Sequence, residues 1–109
     1  MGFIQISEVS DVPNGKMKMF KVGQNEYLVA NVNGNYYAIS NRCSHSNGDL
    51  SQGSLNGNIV MCPKHKSTFD VTTGKVLSGP KVPLFHPKID DATTFEVKVE
   101  GKALLLKID

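Results

Sequence analysis

The alternation of hydrophobic and polar residues along the chain predicts short β-strands separated by turns. Short runs of apolar, aromatic and β-branched residues recur between clusters of Gly, Asn and Pro, a pattern typical of strands. Strands are expected at residues 3–6, 17–22, 27–32, 35–39, 58–61, 95–99 and 103–108. Since no window shows a sustained helical period, we predict an all-β fold, as a sandwich or a partly open barrel.

Turn signals separate several of these runs. Asn33-Gly34 is expected to form a two-residue hairpin turn, because both residues tolerate the positive φ that such turns need. Glu100-Gly101 is expected to turn the chain between the last two strands.

Composition and charge limit the classes of function. With 109 residues the chain is expected to form one domain, residues 1–109. The formal net charge of +2 is too mild, and the lysines too dispersed, to predict nucleic-acid binding. The first residues lack the basic and apolar pattern of a signal peptide, and no apolar run is long enough to span a membrane. We therefore expect a cytoplasmic protein.

The chemistry is concentrated around two cysteines, each closely followed by a histidine. They occur as Cys43-Ser44-His45 and Cys62-Pro63-Lys64-His65, in segments rich in Gly and Ser. Two thiolates and two imidazoles are the ligand set of a 2Fe–2S centre in which histidines replace cysteines on one iron. The spacing leaves two alternatives open, a structural Cys2His2 zinc site and a disulfide.

The residues around both pairs resemble a Rieske ferredoxin over about residues 41–83. After the second pair come Phe69-Asp70, Thr73-Gly74 and Gly79-Pro80, each at the place where the family has the same dipeptide. The first pair is followed by a spacer that ends near Gly53, also as in the family.

This resemblance implies one 2Fe–2S cluster per chain. Cys43 and Cys62 would bind one iron, and His45 and His65 the other. The implied fold has antiparallel base sheets, with a small cluster-binding subdomain at about residues 41–83 inserted between base strands.

The resemblance also suggests how the potential is set. Ser67 stands where high-potential members have a serine, so its hydroxyl is a candidate donor to a cluster sulfur. Phe69 replaces their tyrosine, and Gly48 and Lys64 replace the two cysteines that bridge their cluster loops. We therefore expect a low to intermediate potential. Pro80 would cover one side of the cluster.

Two lysines flank the second histidine. Lys64 and Lys66 either rim the exposed cluster edge, where they would attract an acidic partner, or are simply solvated loop residues. Because Lys66 stands where glycine is usual in the family, a permissive backbone conformation or a different loop course is expected there. His86 is assigned a structural or surface role, and Asp70 a turn.

The sequence is compatible with three functions. The favoured one is a soluble one-electron carrier, not itself an enzyme, that passes electrons from a reductase to a terminal oxygenase or other redox enzyme. The second is a small subunit of a larger oxidoreductase such as nitrite reductase, and the third is a zinc-binding module. A carrier that meets two partners in turn is expected to be a monomer.

Overall fold

The structure, a computed structural model, describes residues 2–43, 48–64, 66–79 and 90–108. In these ranges the chain forms eleven β-strands and two short 3-10 helices, Val9–Asp11 and Leu50–Gln52. The strands are β1 Phe3–Glu8, β2 Met17–Val22, β3 Asn25–Val32, β4 Asn35–Ser40, β5 Ser54–Asn56, β6 Ile59–Met61, β7 Thr68–Asp70, β8 Val76–Ser78, β9 Thr94–Phe95, β10 Val97–Glu100 and β11 Ala103–Lys107.

The strands form three antiparallel sheets, ordered β1-β11-β10, β2-β3-β4-β9 and β5-β6-β7-β8. Each sheet has two edge strands, so none of them closes into a barrel by itself. The predicted all-β antiparallel fold is thereby confirmed. The third sheet is built from consecutive strands that lie between β4 and β9 in sequence. Over the described ranges, no helix is long and apolar enough to cross a membrane.

Strand β3 lies between two buried clusters and supplies residues to both. Tyr27 and Val29 belong to a base cluster with Leu104 of β11. The alternate residues Leu28 and Ala30 belong to a second cluster. Successive side chains of a strand point to opposite faces, so the second sheet is buried on both sides at β3.

The Asn33-Gly34 turn has the predicted geometry. Asn33 has φ 56° and Gly34 has φ 89°, the paired positive values of a two-residue hairpin turn. The turn sets the register of β3 with β4, in which Val32 faces Asn35.

The prediction of a single strand at residues 95–99 was wrong. Thr94 and Phe95 pair with β4 of the second sheet, whereas Val97–Glu100 pairs with β11 of the first. The chain changes sheets at Glu96, whose carbonyl accepts a hydrogen bond from Lys107 N. A period-two pattern continues through such a change of sheet, and sequence therefore does not reveal it.

Candidate metal centre

The two cysteines lie in one buried cluster although they are distant in sequence. Cys43 is 3% exposed and Cys62 1% exposed, and they share this cluster with Leu50, Val60 and Phe69. Cys43 comes shortly after the end of β4, and Cys62 directly follows β6. The two thiols form no disulfide with each other, which contradicts the disulfide alternative.

Cys43 begins the first cysteine loop, residues 43–48. Its backbone N donates a hydrogen bond of 2.8 Å to the carbonyl oxygen of Gly48. Just outside this closure, Arg42 and Asp49 pair as an antiparallel bridge. The predicted ligand His45 lies between these ends, outside the described residues.

A buried asparagine joins both ends of the first cysteine loop to the second sheet. Asn41 is 0% exposed, and its Nδ2 donates to Glu26 Oε1 at 3.1 Å and to Asp49 Oδ1 at 2.7 Å. Its Oδ1 accepts a hydrogen bond of 3.0 Å from Ser51 N. Arg42 Nη2 completes the network by donating to Glu26 Oε2 at 2.8 Å.

These hydrogen bonds stabilise the two carboxylates in their charged forms. The Ser51 hydroxyl, followed by the Asn41 amide, lowers the pKa of Asp49 below its ordinary value, against the opposing effect of burial. The Arg42 guanidinium, followed by Asn41, likewise lowers the pKa of Glu26. The network is therefore charged at neutral pH.

The second cysteine loop, residues 62–67, is closed by backbone hydrogen bonds. Cys62 N donates to Ser67 O at 2.8 Å, and Lys66 N donates to Cys62 O at 3.0 Å. The first of these bonds extends the β6–β7 ladder by one step, beyond the pairing of Met61 with Thr68. The predicted ligand His65 lies outside the described residues.

Lys66 occupies the left-handed region, with φ 64°. This is the conformation that glycine adopts without steric cost, whereas for another residue it costs about 1–2 kcal/mol. The loop therefore takes a glycine-type course at a position held by lysine, which confirms the first of the two expectations for this residue. Lys64 and Lys66 are both exposed.

Ser67 is 1% exposed, and its Oγ has no hydrogen-bond partner among the residues that the structure describes. A buried hydroxyl without a partner costs about 1–3 kcal/mol. Ser67 ends the loop that Cys62 begins, and a sulfur-rich group bound by the thiolates would supply an acceptor there. This hydroxyl and the two thiols of the shared cluster fit an iron–sulfur group, since thiolates are soft ligands.

Gly53 allows the segment that follows the first cysteine loop to approach the end of β6, where the second loop begins. A Cβ atom at this position would lie 1.8 Å from the carbonyl oxygen of Met61 and 3.2 Å from Cδ of Pro63. Any side chain here would therefore push the segment after the first loop away from the start of the second. This contact explains in steric terms why a glycine stands at position 53, near the end of the family-like spacer.

The other predicted residues have simpler positions. Phe69 is a fully buried core residue of β7. Asp70 forms a turn, as predicted, since its Oδ1 accepts from Thr72 N at 2.9 Å and from Thr72 Oγ1 at 2.6 Å. Pro80 and His86 lie outside the described residues. Within the described ranges, which omit the predicted ligands His45 and His65, no three His, Cys, Asp or Glu side chains form a metal-binding group.

Sequence reasoning missed the network around Asn41. A local signal existed for one part of it, because Asp49 and Ser51 have the spacing of a helix cap, and Asp49 caps the 3-10 helix Leu50–Gln52. Nothing local connects Glu26 to these residues.

Comparison with known proteins decides the family. Residues 2–96 match the Rieske 2Fe-2S domain. The chain belongs to this family. The predicted recognition and the 2Fe–2S cofactor are therefore confirmed, and the zinc alternative is not supported.

The relatives of this Rieske domain are electron-transfer components. The chain is 34% identical over 107 residues to the ferredoxin component of the naphthalene 1,2-dioxygenase/salicylate 5-hydroxylase systems of a Ralstonia species, covering 98% of this chain and 96% of the relative. It is 36% identical over 110 residues to the ferredoxin component of biphenyl 2,3-dioxygenase from Rhodococcus jostii, covering 100% and 95%.

A solved structure shows the same fold in a complex. It contains the reduced oxygenase and oxidised ferredoxin of carbazole 1,9a-dioxygenase, and the matching chain has a TM-score of 0.83 at 27% identity, covering 98% of this chain and 97% of that one. The predicted role as an electron carrier is confirmed by these relatives, and they favour a ferredoxin over a nitrite reductase subunit.

Proposed function

We propose that Cys43 and Cys62 bind one iron of the 2Fe–2S cluster, and that His45 and His65 bind the other. The observation that carries this proposal is the placement of both thiols in one buried cluster, each at the start of a loop that contains one of the histidines. The buried hydroxyl of Ser67, which has no hydrogen-bond partner among the described residues, supports a sulfur acceptor beside Cys62. Pro80 is proposed to cover the cluster, as in the family.

The ligand set accounts for one-electron chemistry at a moderate potential. Two ferric ions, two sulfides and two thiolates sum to zero charge, because neutral imidazoles add none. Reducing a neutral centre is easier than reducing the dianionic four-cysteine centre, and Rieske potentials lie at about −150 to +300 mV. With Phe69 buried where high-potential members have tyrosine, we expect the lower part of this range.

We further propose that the chain takes electrons from a reductase and passes them to a terminal oxygenase. The support is that its relatives are ferredoxin components of dioxygenase systems and that one solved ferredoxin is bound to its oxygenase. We propose that the protein lies in the cytoplasm, since cysteine thiolates persist where the compartment keeps them reduced. We also propose that it is a monomer, as is expected of a carrier that meets two partners in turn.

The second cysteine loop has the charge expected of a docking surface for acidic partners. Lys64 and Lys66 are exposed on either side of His65. Positive charge therefore dominates the exposed side chains of this loop, and such charge speeds encounter with an acidic surface.

Stopped-flow reduction by the partner reductase tests this assignment. The double variant Lys64→Glu/Lys66→Glu should have a second-order rate about tenfold lower at low salt, and the difference should shrink as salt is added. The matched control Lys102→Glu/Lys107→Glu makes the same change in net charge on two exposed lysines, one just before β11 and one at its end. Equal rates for both double variants would contradict the proposed docking surface.

A further inference from the structure

We propose that Asn41 is a positioning residue for the cluster, because its side chain fixes both ends of the segment that carries His45. This inference rests on the ligand set proposed above. The Asn41 brace is defined as the side chain of Asn41 with its three partners, Glu26, Asp49 and Ser51.

The brace acts on both ends of the first cysteine loop. Asn41 lies two residues before Cys43, and Asp49 directly follows Gly48. The side-chain bonds are doubled by the backbone, since Leu50 N donates to Asn41 O at 2.9 Å. Side-chain and backbone hydrogen bonds therefore both fix the distance between the ends of the loop, in addition to the hydrogen bond from Cys43 N to Gly48 O.

The brace also ties this loop to the second sheet. Glu26 belongs to β3, and its carbonyl accepts a hydrogen bond of 3.1 Å from Asn41 N, in addition to the side-chain bond. A shift of β3 relative to the loop would therefore break two bonds to one residue. For the second cysteine loop, the described backbone bonds run between Cys62 and residues of the same hairpin.

Asparagine is the residue type that this position requires. Its Nδ2 supplies two N–H donors to two carboxylates, and its Oδ1 accepts from a backbone N–H. Leucine has nearly the same shape but would remove all three hydrogen bonds at a fully buried site, leaving Glu26 bonded to Arg42 and Asp49 bonded to Ser51. Aspartate would bring a third carboxylate against Glu26 and Asp49.

The chain contains a matched control in Asn31, which is also buried. Asn31 Nδ2 donates to Val12 O at 2.9 Å, and its Oδ1 accepts from Gly34 N at 2.9 Å. Those partners belong to the base of the molecule and not to either cysteine loop. Asn31→Leu should therefore lower stability by a similar mechanism without displacing a cluster ligand.

The experiment compares Asn41→Leu with Asn31→Leu in the cluster-loaded protein. We would measure the thermal midpoint, the EPR line shape of the reduced protein, and the rate of cluster loss to an iron chelator. Asn41→Leu should lose the cluster about tenfold faster than wild type, the lower end of the change in metal affinity seen when ligand-orienting residues are replaced, and should broaden the EPR lines. Asn31→Leu should match wild type in both.

Equal rates of cluster loss for the two variants would overturn the brace. The iron and sulfide content of wild type is measured first. If wild type lacked a cluster, that would contradict the ligand set as well, whereas a loaded wild type with equal variants would contradict the brace alone.

A reciprocal swap keeps the inference testable should Asn41→Leu fail to fold. In Asn41→Asp/Asp49→Asn, donor and acceptor exchange places, so the bond between positions 41 and 49 is retained while the bond to Glu26 is lost. The double variant should lose the cluster more slowly than Asn41→Asp alone. Loss at the same rate as that single variant would contradict the brace.

Discussion

The two cysteine loops have similar positions but are held in different ways. The first is closed by backbone bonds and is held in addition by side chains, through the buried Asn41 and the carboxylates of Glu26 and Asp49. The second is fixed by the backbone of a tight hairpin, with a left-handed residue at Lys66. The first loop is tied to the second sheet, whereas the second is an extension of its own β-ladder.

This difference shows two solutions to one requirement. Each loop must hold a thiol in the buried cluster and a histidine nearby, so its conformation must be fixed before the metal binds. A short hairpin of the third sheet does this by register alone. The longer route from β4 to β5 passes through a 3-10 helix and needs partners that are distant in sequence. The first loop is therefore the more sensitive to single substitutions and to pH.

The largest effect is expected where the two loops meet. Gly53→Ala should destabilise the protein by about 3 kcal/mol, because the new Cβ would overlap the carbonyl oxygen of Met61. Gly57→Ala is the control, since Gly57 has φ 63° but no heavy atom within 4 Å of a Cβ there. Chemical denaturation should show the smaller loss for Gly57→Ala, about 1 kcal/mol. The reverse order would contradict the contact.

The next largest effect is a pH dependence of stability that distinguishes the first cysteine loop from the second. Because the folded-state pKa of Asp49 lies below its ordinary value of 3.8, its stabilising contribution is present above about pH 4 and is lost as pH falls through the folded pKa. Asp49→Asn should cost about 2 kcal/mol at pH 7, and this cost should shrink below pH 4. The check is the free energy of unfolding measured against pH for both proteins.

Hydrogen–deuterium exchange locates that effect. In Asp49→Asn at pH 7, protection of the Cys43 amide should fall while protection of the Cys62 amide is retained, since the two amides are bonded to different acceptors. Asp70→Asn removes a carboxylate that also has a lowered pKa but lies at the end of β7, so it should leave Cys43 protected. Equal loss at both cysteines would mean that the loops are not held independently.

A smaller effect is expected on the reduction potential, through Ser67 of the second cysteine loop. If the Ser67 hydroxyl donates to a cluster sulfur, and the bond strengthens by about 1 kcal/mol on reduction, then Ser67→Ala should lower the potential by about 40 mV. Ser78→Ala is the control, because Ser78 Oγ is already bonded to Thr68 Oγ1 at 2.7 Å. Redox titration giving equal potentials for both variants would exclude Ser67 as a donor.

The smallest effect tests the strained backbone of the second loop. Lys66→Gly should be about 1 kcal/mol more stable than Lys66→Ala, because both remove the charge but only glycine adopts φ 64° without cost. Thermal unfolding of the pair isolates the backbone from the electrostatics. Variants of equal stability would show that this loop relaxes out of the left-handed conformation.

Sequence reasoning was most successful where the information is local. Residues 17–22 form the predicted strand, and the Asn33-Gly34 turn forms because its two residues themselves determine it. The strand pattern failed for β5, β7 and β8, which have three residues each and include polar ones. The equally short β6 was predicted because its residues Ile59, Val60 and Met61 are all apolar.

The residues of the site show the same difference between local and non-local information. The cysteine and histidine pairs are recognisable because their spacing is short and their types are rare. Asn41 could not be recognised, since its partners at 26, 49 and 51 come together only when β3 packs beside the first loop. The glycine that the family has at position 66 indicated either a permissive conformation or a different loop course, and the structure shows the first, with φ 64°.

The central claim, that the two loops together hold a 2Fe–2S cluster with two histidine ligands, is tested most directly by metal analysis and EPR. Iron, zinc and acid-labile sulfide are measured in the purified protein, and the EPR spectrum is recorded after dithionite reduction. About two irons and two sulfides per chain, with a Rieske-type signal of low average g, is the predicted result. Zinc without sulfide and without that signal would contradict it.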